Sequence, residues 1–290
     1  MKELVIISGK GGTGKTSLIG AFASLAENKA LCDADVDAAD LHLLTDPSVR
    51  ERHDFLGGRT AVIDQDRCTE CGLCRDLCKW EAVTETFEVD PIECEGCGVC
   101  VYFCPEKAID FPVKTCGEWF ISDTRFGPMI HARLGIAEDN SGKLVTLVRR
   151  EAKKLAETKK LDLVITDGPP GIGCPVIASI GGANAVLIVA EPSVSGLHDM
   201  ERVAQLTAYF GIPAMVSVNK FDLNVDQTQA IESLAKKRDI DVLGRVPFDP
   251  VFTRSMIQGK TIFEHNGGSQ ASSAVQQLWE KVNRTLASNR

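Results

Sequence analysis

Two runs of four cysteines share one spacing, and eight thiols set so closely leave the chain around them few ways to fold. Cys68, Cys71, Cys74 and Cys78 read C-x2-C-x2-C-x3-C, and Cys94, Cys97, Cys100 and Cys104, followed by Pro105, read the same. The segment holding them has few long apolar runs, so a small unit whose folding depends on bound metal is expected there. Disulfides are the less apt use. The chain runs from Met1-Lys2-Glu3 straight into the apolar Leu4–Ile7 without a basic-then-apolar export pattern, so a cytoplasmic location and metal ligation by thiolates are expected.

Soft thiolates suit iron–sulfur clusters or zinc. Zinc sites usually pair C-x2-C hooks across a loop, and the third and fourth cysteines of each run here are too compact for two such hooks. The doubled run resembles that of bacterial ferredoxins. The resemblance implies two 4Fe–4S clusters with crossed ligation: Cys68, Cys71 and Cys74 with Cys104, and Cys94, Cys97 and Cys100 with Cys78. Lys79 stands where many ferredoxins have proline, which implies a changed turn beside an unchanged ligand.

The formal net charge of −8 is confined to this segment. Residues 61–112 carry 12 acidic and 4 basic side chains, and the remainder is balanced at 28 of each. That excess disfavours nucleic acid as a partner. It favours either docking to a basic surface on another protein or a merely solvated acidic face.

Outside the cysteine segment, short apolar stretches alternate with helix-length amphipathic ones. Strands are expected at 4–8, 30–32, 163–166, 185–190, 215–218 and 242–246, with 119–122 and 129–134 near an edge. Helices are expected at 16–26, 143–155, 197–209, 227–237 and 274–286. This alternation predicts an α/β fold with a mostly parallel, doubly wound sheet covered on both faces. The expected division is this α/β domain over 1–59 and 113–290, with a ferredoxin-like insert over 60–112.

Gly9-Lys10-Gly11-Gly12-Thr13-Gly14-Lys15-Thr16 fits G-x-x-x-x-G-K-S/T, between an apolar strand and a helix. Backbone N–H groups of such a turn wrap a phosphate at a helix N-terminus. Lys15 would neutralise phosphate oxygens, Thr16 would bind magnesium, and Ser17 adjoins them. Asp167 ends an apolar strand, the position of a carboxylate that supports magnesium.

Lys10, a second lysine inside the loop, makes the motif resemble that of the MinD/ParA/Mrp-type ATPases, which include the nitrogenase iron protein. The resemblance covers nearly the whole chain outside the insert. It implies ATP and magnesium as ligands, and a dimer, of two copies or with a paralogue, in which Lys10 reaches the partner's nucleotide. It further implies that Asp35 positions the attacking water and that Asp33 supports magnesium. Gly168-Pro169-Pro170-Gly171-Ile172-Gly173 resembles the second switch. Asn219 and the Pro247-Phe248-Asp249 loop fall where the family meets the base. Asn219-Lys220-Phe221-Asp222 also satisfies the N-K-x-D pattern of guanine-specific proteins, so ATP rests on the resemblance.

Three cysteines lie outside the runs. Cys32 and Cys116 read as small buried side chains. Cys174, seven residues after Asp167, has a spacing similar to that of a cluster-bridging cysteine in the nitrogenase iron protein, and equally reads as a packed helix-start residue. Val275, Leu278, Trp279, Val282 and Leu286 form a stripe expected to pack on the sheet rather than bind membrane. Asn140 reads as a helix cap, and Arg149, Arg150, Lys153 and Lys154 as a solvated basic face.

The resemblance narrows to a MinD-type ATPase with an inserted ferredoxin domain. It implies a cytoplasmic ATPase whose dimer rearrangement gates delivery of metal–sulfur clusters, or electrons, to a small metal-cluster-binding protein related to nitrogenase-cofactor biosynthesis factors. An ATP-gated electron carrier and a positioning ATPase with a redox-sensing module are the alternatives.

Overall fold

In the computed structural model, described for residues 1–135, 138 and 141–288, the apolar stretches form the strands and the amphipathic ones the helices. In chain order these are β1 (Lys2–Ser8), α1 (Lys15–Leu25), β2 (Lys29–Asp33), α2 (His42–Thr45) and β3 (Ser48–Arg59). The cysteine segment contributes β4 (Val62–Ile63), α3 (Leu73–Leu77), α4 (Val99–Phe103) and β5 (Ile109–Asp110). Then come β6 (Val113–Thr124), β7 (Gly127–Leu134), α5 (Ser141–Thr158), β8 (Leu163–Pro170) and α6 (Cys174–Ile180). The chain continues through β9 (Ala185–Ala190), α7 (Val194–Tyr209), β10 (Ala214–Asn219) and α8 (Val225–Lys237). It ends with β11 (Asp241–Val246), α9 (Val251–Ile257), α10 (Ile262–Asn266) and α11 (Gln270–Ser288).

The chain divides into two compact units. Met1–His53, Trp119–Arg133 and Ser141–Arg290 form one; Asp54–Glu118 with Leu134–Asn140 form the other. The division falls inside β3 and β6, outside the 60 and 112 read from composition. Both strands run twelve residues, longer than their apolar stretches suggest.

A nine-stranded sheet has the order β11-β10-β9-β1-β8-β2-β7-β6-β3. The seven strands from β11 to β7 pair in parallel. Successive residues of a strand face opposite sides, and β1 shows what that does to the core. Leu4 and Ile6 join the layer under α1 and α11, while Val5 and Ile7 join the layer under α6, α7 and α8. A continuous apolar run is what a strand buried on both faces requires. The α11 stripe lies in the first layer, Val275 and Val282 fully buried, with the Trp279 and Phe22 rings 5.0 Å apart. Among the described residues no helix is long and apolar enough to cross a membrane.

The expected basic face is split. Arg150 and Lys154 are exposed, but Arg149 is buried. It donates from Nε and Nη2 to the Glu3 carboxylate at 2.9 and 2.6 Å and from Nη1 to the Ala178 and Gly181 carbonyls. The reading failed because Glu3, its counter-charge, lies 146 positions earlier. The expected cap at Asn140 lies outside the described residues. Strand β3 was not expected at all: Ser48–Arg59 is mostly exposed and charged, and an edge strand needs no apolar run.

The smaller unit has its own core of Ala61, Ile63, Val83 and Ile109. Phe87, Val101, Phe111 and six of the eight run cysteines pack against it. Strands β4 and β5 pair antiparallel, Val62 opposite Asp110. Arg67 ties both ends of the cysteine segment together, donating to Asp64 at 2.6 Å and to Asp110 at 2.9 Å.

Candidate functional site

In the larger unit the carboxyl ends of β1, β2, β8, β9 and β10 deliver the chemistry-bearing residues, the edge at which parallel sheets bind ligands. After Ser8 the chain turns through Gly9–Gly14 into α1. Gly12 and Gly14 have φ of +78° and +87°, a left-handed backbone that glycine adopts without steric penalty. Packing on one side of the turn is close. A Cβ at Gly9 would lie 2.1 Å from the Asp199 Cβ on α7, and one at Gly14 would lie 2.3 Å from Asn219 Nδ2. Gly11 and Gly12 face open space.

Lys15 is buried with three carboxylates. Its Nζ donates to Asp167 and, at 3.2 Å, to Asp35, while Thr16 Oγ1 donates to Asp167 at 3.0 Å. Asp33 and Asp167 are register partners on β2 and β8. Burial lowers the proton affinity of Lys15, but Asp167 and Asp35 outweigh it and the net shift is upward. Burial pushes the carboxylates up as well: Asp35 to about 6, and Asp33 well above the usual carboxylate range with the Asp167 charge adding to the effect. Asp167 moves the same way, burial outweighing Lys15. Asp33 spends both oxygens on backbone N–H groups, those of Asp35 and Leu41, each at 3.2 Å. It thereby closes the loop that holds Asp35.

Lys10 is paired within its own chain, to Glu191 at 2.5 Å, Ser195 at 2.9 Å and Ser193 at 3.4 Å. Neither Glu191 nor the two serines was singled out from the sequence. The available signal was Glu191's place one residue beyond β9. Lys220 was also missed as a loop support: its Nζ donates to the Gly12 carbonyl at 2.8 Å. Asn219 Nδ2 donates to the Thr13 carbonyl at 2.7 Å. Asn219 Oδ1 and Thr13 Oγ1 are buried without a hydrogen-bond partner. Pro247 follows β11. In the same loop the Phe248 N–H donates to Asp222 at 2.6 Å, and Asp249 accepts the Val251 N–H at the start of α9. Ser17 Oγ lies 3.0 Å from the Met256 sulfur on α9.

In the smaller unit Cys68, Cys71, Cys74 and Cys104 line one pocket, closed by Ile63, Leu73, Phe87, Ala108 and Ile109. Two of the sulfurs accept backbone N–H groups, Cys68 from Glu70 at 3.4 Å and Cys104 from Ala108 at 3.3 Å. Burial raises the Cys100 thiol, and the nearby Cys94, Cys97 and Cys74 act on it in the same direction. Cys78 packs against the same core. Among the described residues no three His, Cys, Asp or Glu side chains gather tightly enough to hold a single ion.

Cys32 and Cys116 are buried; Cys174 is exposed at the start of α6. There its Cβ lies 3.5 Å from where a Cβ on Gly142 would stand.

A family model described as the CobQ/CobB/MinD/ParA nucleotide binding domain matches residues 4–262. An uncharacterised protein of Methanocaldococcus jannaschii is 30% identical over 283 residues, covering 97% of this chain and 96% of that protein. The cytosolic Fe-S cluster assembly factor NUBP2 of Rattus norvegicus is 25% identical over 138 residues, covering 42% of this chain and 51% of its own length. Among solved structures, the septum site-determining protein MinD of Pyrococcus horikoshii, complexed with Mg-ADP, superposes with a TM-score of 0.61 at 19% identity. That likeness covers 100% of this chain and 98% of the other.

Proposed function

Since the chain belongs to the CobQ/CobB/MinD/ParA nucleotide-binding family and is a P-loop ATPase, we propose that it couples ATP turnover to iron–sulfur chemistry carried by its cysteine-bearing segment, residues 60–112. The observation that carries this reading is the pocket at which Cys104 meets Cys68, Cys71 and Cys74. A four-iron cluster spreads its ligands over several metal atoms, and thiols surrounding a pocket, two of them already holding N–H donors, suit it. Cys94, Cys97, Cys100 and Cys78 would hold the second cluster. When bound, such clusters supply one-electron redox chemistry or a transferable iron–sulfur unit.

At the nucleotide site the open faces of Gly11 and Gly12 leave backbone room for phosphate. Lys15 now compensates Asp35 and Asp167. Phosphate would draw its ammonium away, and Thr16 and Asp167 would then hold magnesium, restoring positive charge beside the carboxylates. Asp35, freed of Lys15, would orient the attacking water, with Asp33 keeping its loop in place. The unpartnered Asn219 Oδ1 suits an exocyclic amine such as that of adenine. The acceptor of the guanine-type pattern, Asp222, is engaged by Phe248. Lys10 would leave Glu191 and the serines when a second subunit, a copy or a paralogue, presents its nucleotide.

The partner is a cluster-accepting protein, and ATP-driven closing and opening of the dimer would gate transfer to it. The packing of Cys74 and Cys100, one from each run, on the same small core favours a second reading, electron passage between clusters without their release. Anaerobic incubation of the iron-loaded chain with an apo cluster-accepting protein separates the two. ATP-dependent movement of iron to the acceptor supports delivery. Reversible reduction with no loss of iron supports the electron carrier. If neither occurs, both fail and a positioning ATPase is left.

A further inference from the structure

The two cysteine runs are copies of one pattern, and one copy serves as a control for the other. Aligned on their cysteines, Cys71-Gly72-Leu73-Cys74-Arg75-Asp76-Leu77-Cys78 stands against Cys97-Gly98-Val99-Cys100-Val101-Tyr102-Phe103-Cys104. Gly72 and Gly98 share a left-handed backbone, φ +81° and +75°, and each opens a five-residue helix. In both copies three of the four cysteines pack on the same small core.

The outward faces differ. Helix α3 shows solvent Arg75 and Asp76 beside Leu73, which is as exposed as its counterpart Val99, so the copies part at Arg75 and Asp76 in one against Tyr102 and Phe103 in the other. Helix α4 has Val101, Cys100 and Cys104 packed inward, yet its outward residues are apolar too. Tyr102 is 84% exposed, Phe103 51% and Val99 37%, and the two rings meet edge-on with centroids 5.0 Å apart. These positions are i, i+3 and i+4, neighbours on one helix face. The tyrosine stands where the first copy has aspartate.

Single exposed apolar side chains are ordinary. Three on one turn, within a segment of strongly negative charge, have the composition of an interface centre inside a charged rim. Exposed Glu93 and Glu95 precede α4 and exposed Glu106 follows it. We infer that Val99, Tyr102 and Phe103 form the docking surface for a partner protein whose contact patch is apolar and ringed by lysine and arginine. The inference rests on the cluster-carrying reading above for its purpose: α4 bears Cys100 and ends at Cys104, which crossed ligation assigns to different clusters. A partner seated on Tyr102 and Phe103 therefore stands over one ligand of each.

Cytochrome c, whose haem edge is ringed by lysines, serves as the probe. Its dissociation constant with the full iron-loaded chain is measured anaerobically by calorimetry at low and high salt, together with iron per chain. The variant Tyr102→Ala/Phe103→Ala is expected to weaken binding about tenfold while keeping its iron. Asp76→Asn, at the equivalent place in the first copy, should move it less than about twofold. Equal effects of the two variants, or unchanged binding by the first, would overturn the inference. Should the double variant lose iron, Tyr102→Ser alone, at a position almost wholly in solvent, decides by the same comparison. Self-association of the wild type that the double variant abolishes would assign the face to a second copy and also overturn it. A wild-type chain that holds no iron refutes the cluster reading, whereas the docking surface still stands or falls on the tenfold difference.

Discussion

Arg149 and Glu3 meet through two parallel hydrogen bonds, 2.9 Å from Nε to Oε1 and 2.6 Å from Nη2 to Oε2, with 7% and 1% of their side chains exposed. The pair fastens α5 to the central strand β1. Thr166 of β8 also donates to Glu3, at 3.0 Å. Lys153 Nζ also pairs with Glu3, at 2.9 Å. Arg149→Met therefore leaves the buried carboxylate one cation and is expected to lower the unfolding free energy by about 1–3 kcal/mol, below the cost of stranding a buried charge outright. Glu3→Gln added to it should recover part of that loss. Denaturant titration of both variants and of the double variant measures the coupling.

Gly14 has no room for a side chain, because its φ is +87° and a Cβ would press on the amide that anchors Thr13. Gly14→Ala should weaken nucleotide binding at least about tenfold and lower the melting temperature, since strain and a lost anchor cost about 1–3 kcal/mol together. Gly11→Ala meets no neighbouring atom, so its melting temperature should match the wild type. Thermal melts with fluorescent-nucleotide titrations check both.

Lys15→Ala should abolish ATP hydrolysis and also leave Asp35 and Asp167 without their counter-charge. The Asp35 carboxyl titrates at about 6 in the folded chain, raised by burial from an ordinary value near 3.8. The folded state therefore holds more protons than the unfolded one between about pH 4 and 6, and this group's contribution to stability falls as pH rises through that window. Loss of Lys15 extends the window upward. The variant should be markedly less stable than wild type at pH 7 and should close much of that gap by pH 5, as read from denaturation at the two pH values.

His131 behaves in the opposite sense. Burial, with the His42 charge added, depresses it to about 4, and Ser122 Oγ lies 2.8 Å from its Nε2. Between about pH 6.5 and 4 the unfolded chain takes up the proton first, so stability declines as pH falls through that range. The loss is about 1–3 kcal/mol once partial solvent access is allowed for. His131→Gln should flatten this segment of the stability–pH curve.

The proposed crossed ligation would have a sharp consequence for iron content. Cys104→Ala and Cys68→Ala should lose the same cluster, about half the bound iron, although 36 positions separate them, because both thiols line one pocket. Cys78→Ala should lose the other. Iron analysis of the double variant Cys68→Ala/Cys104→Ala should then match either single variant, whereas additive loss would reject the crossed assignment.

What the sequence determined by itself is local in origin. The spacing of glycines and lysines between Ser8 and Thr16, the doubled cysteine run and the apolar stretches at strand period each state their structure within a dozen residues. Hydrogen-bond geometry and side-chain reach act at that range. Only the tertiary structure decided which distant groups share a charge balance: Lys10 with Glu191, Lys15 with Asp167, Arg149 with Glu3. It also decided that a polar stretch such as Ser48–Arg59 is a strand, since pairing rather than apolarity makes an edge. The thiols divide along the same line. Spacing made Cys68 to Cys104 candidate ligands, but the pocket joining Cys104 to the first run exists only once the segment has folded back on itself, because charge, burial and shared cavities depend on distances that chain separation does not encode.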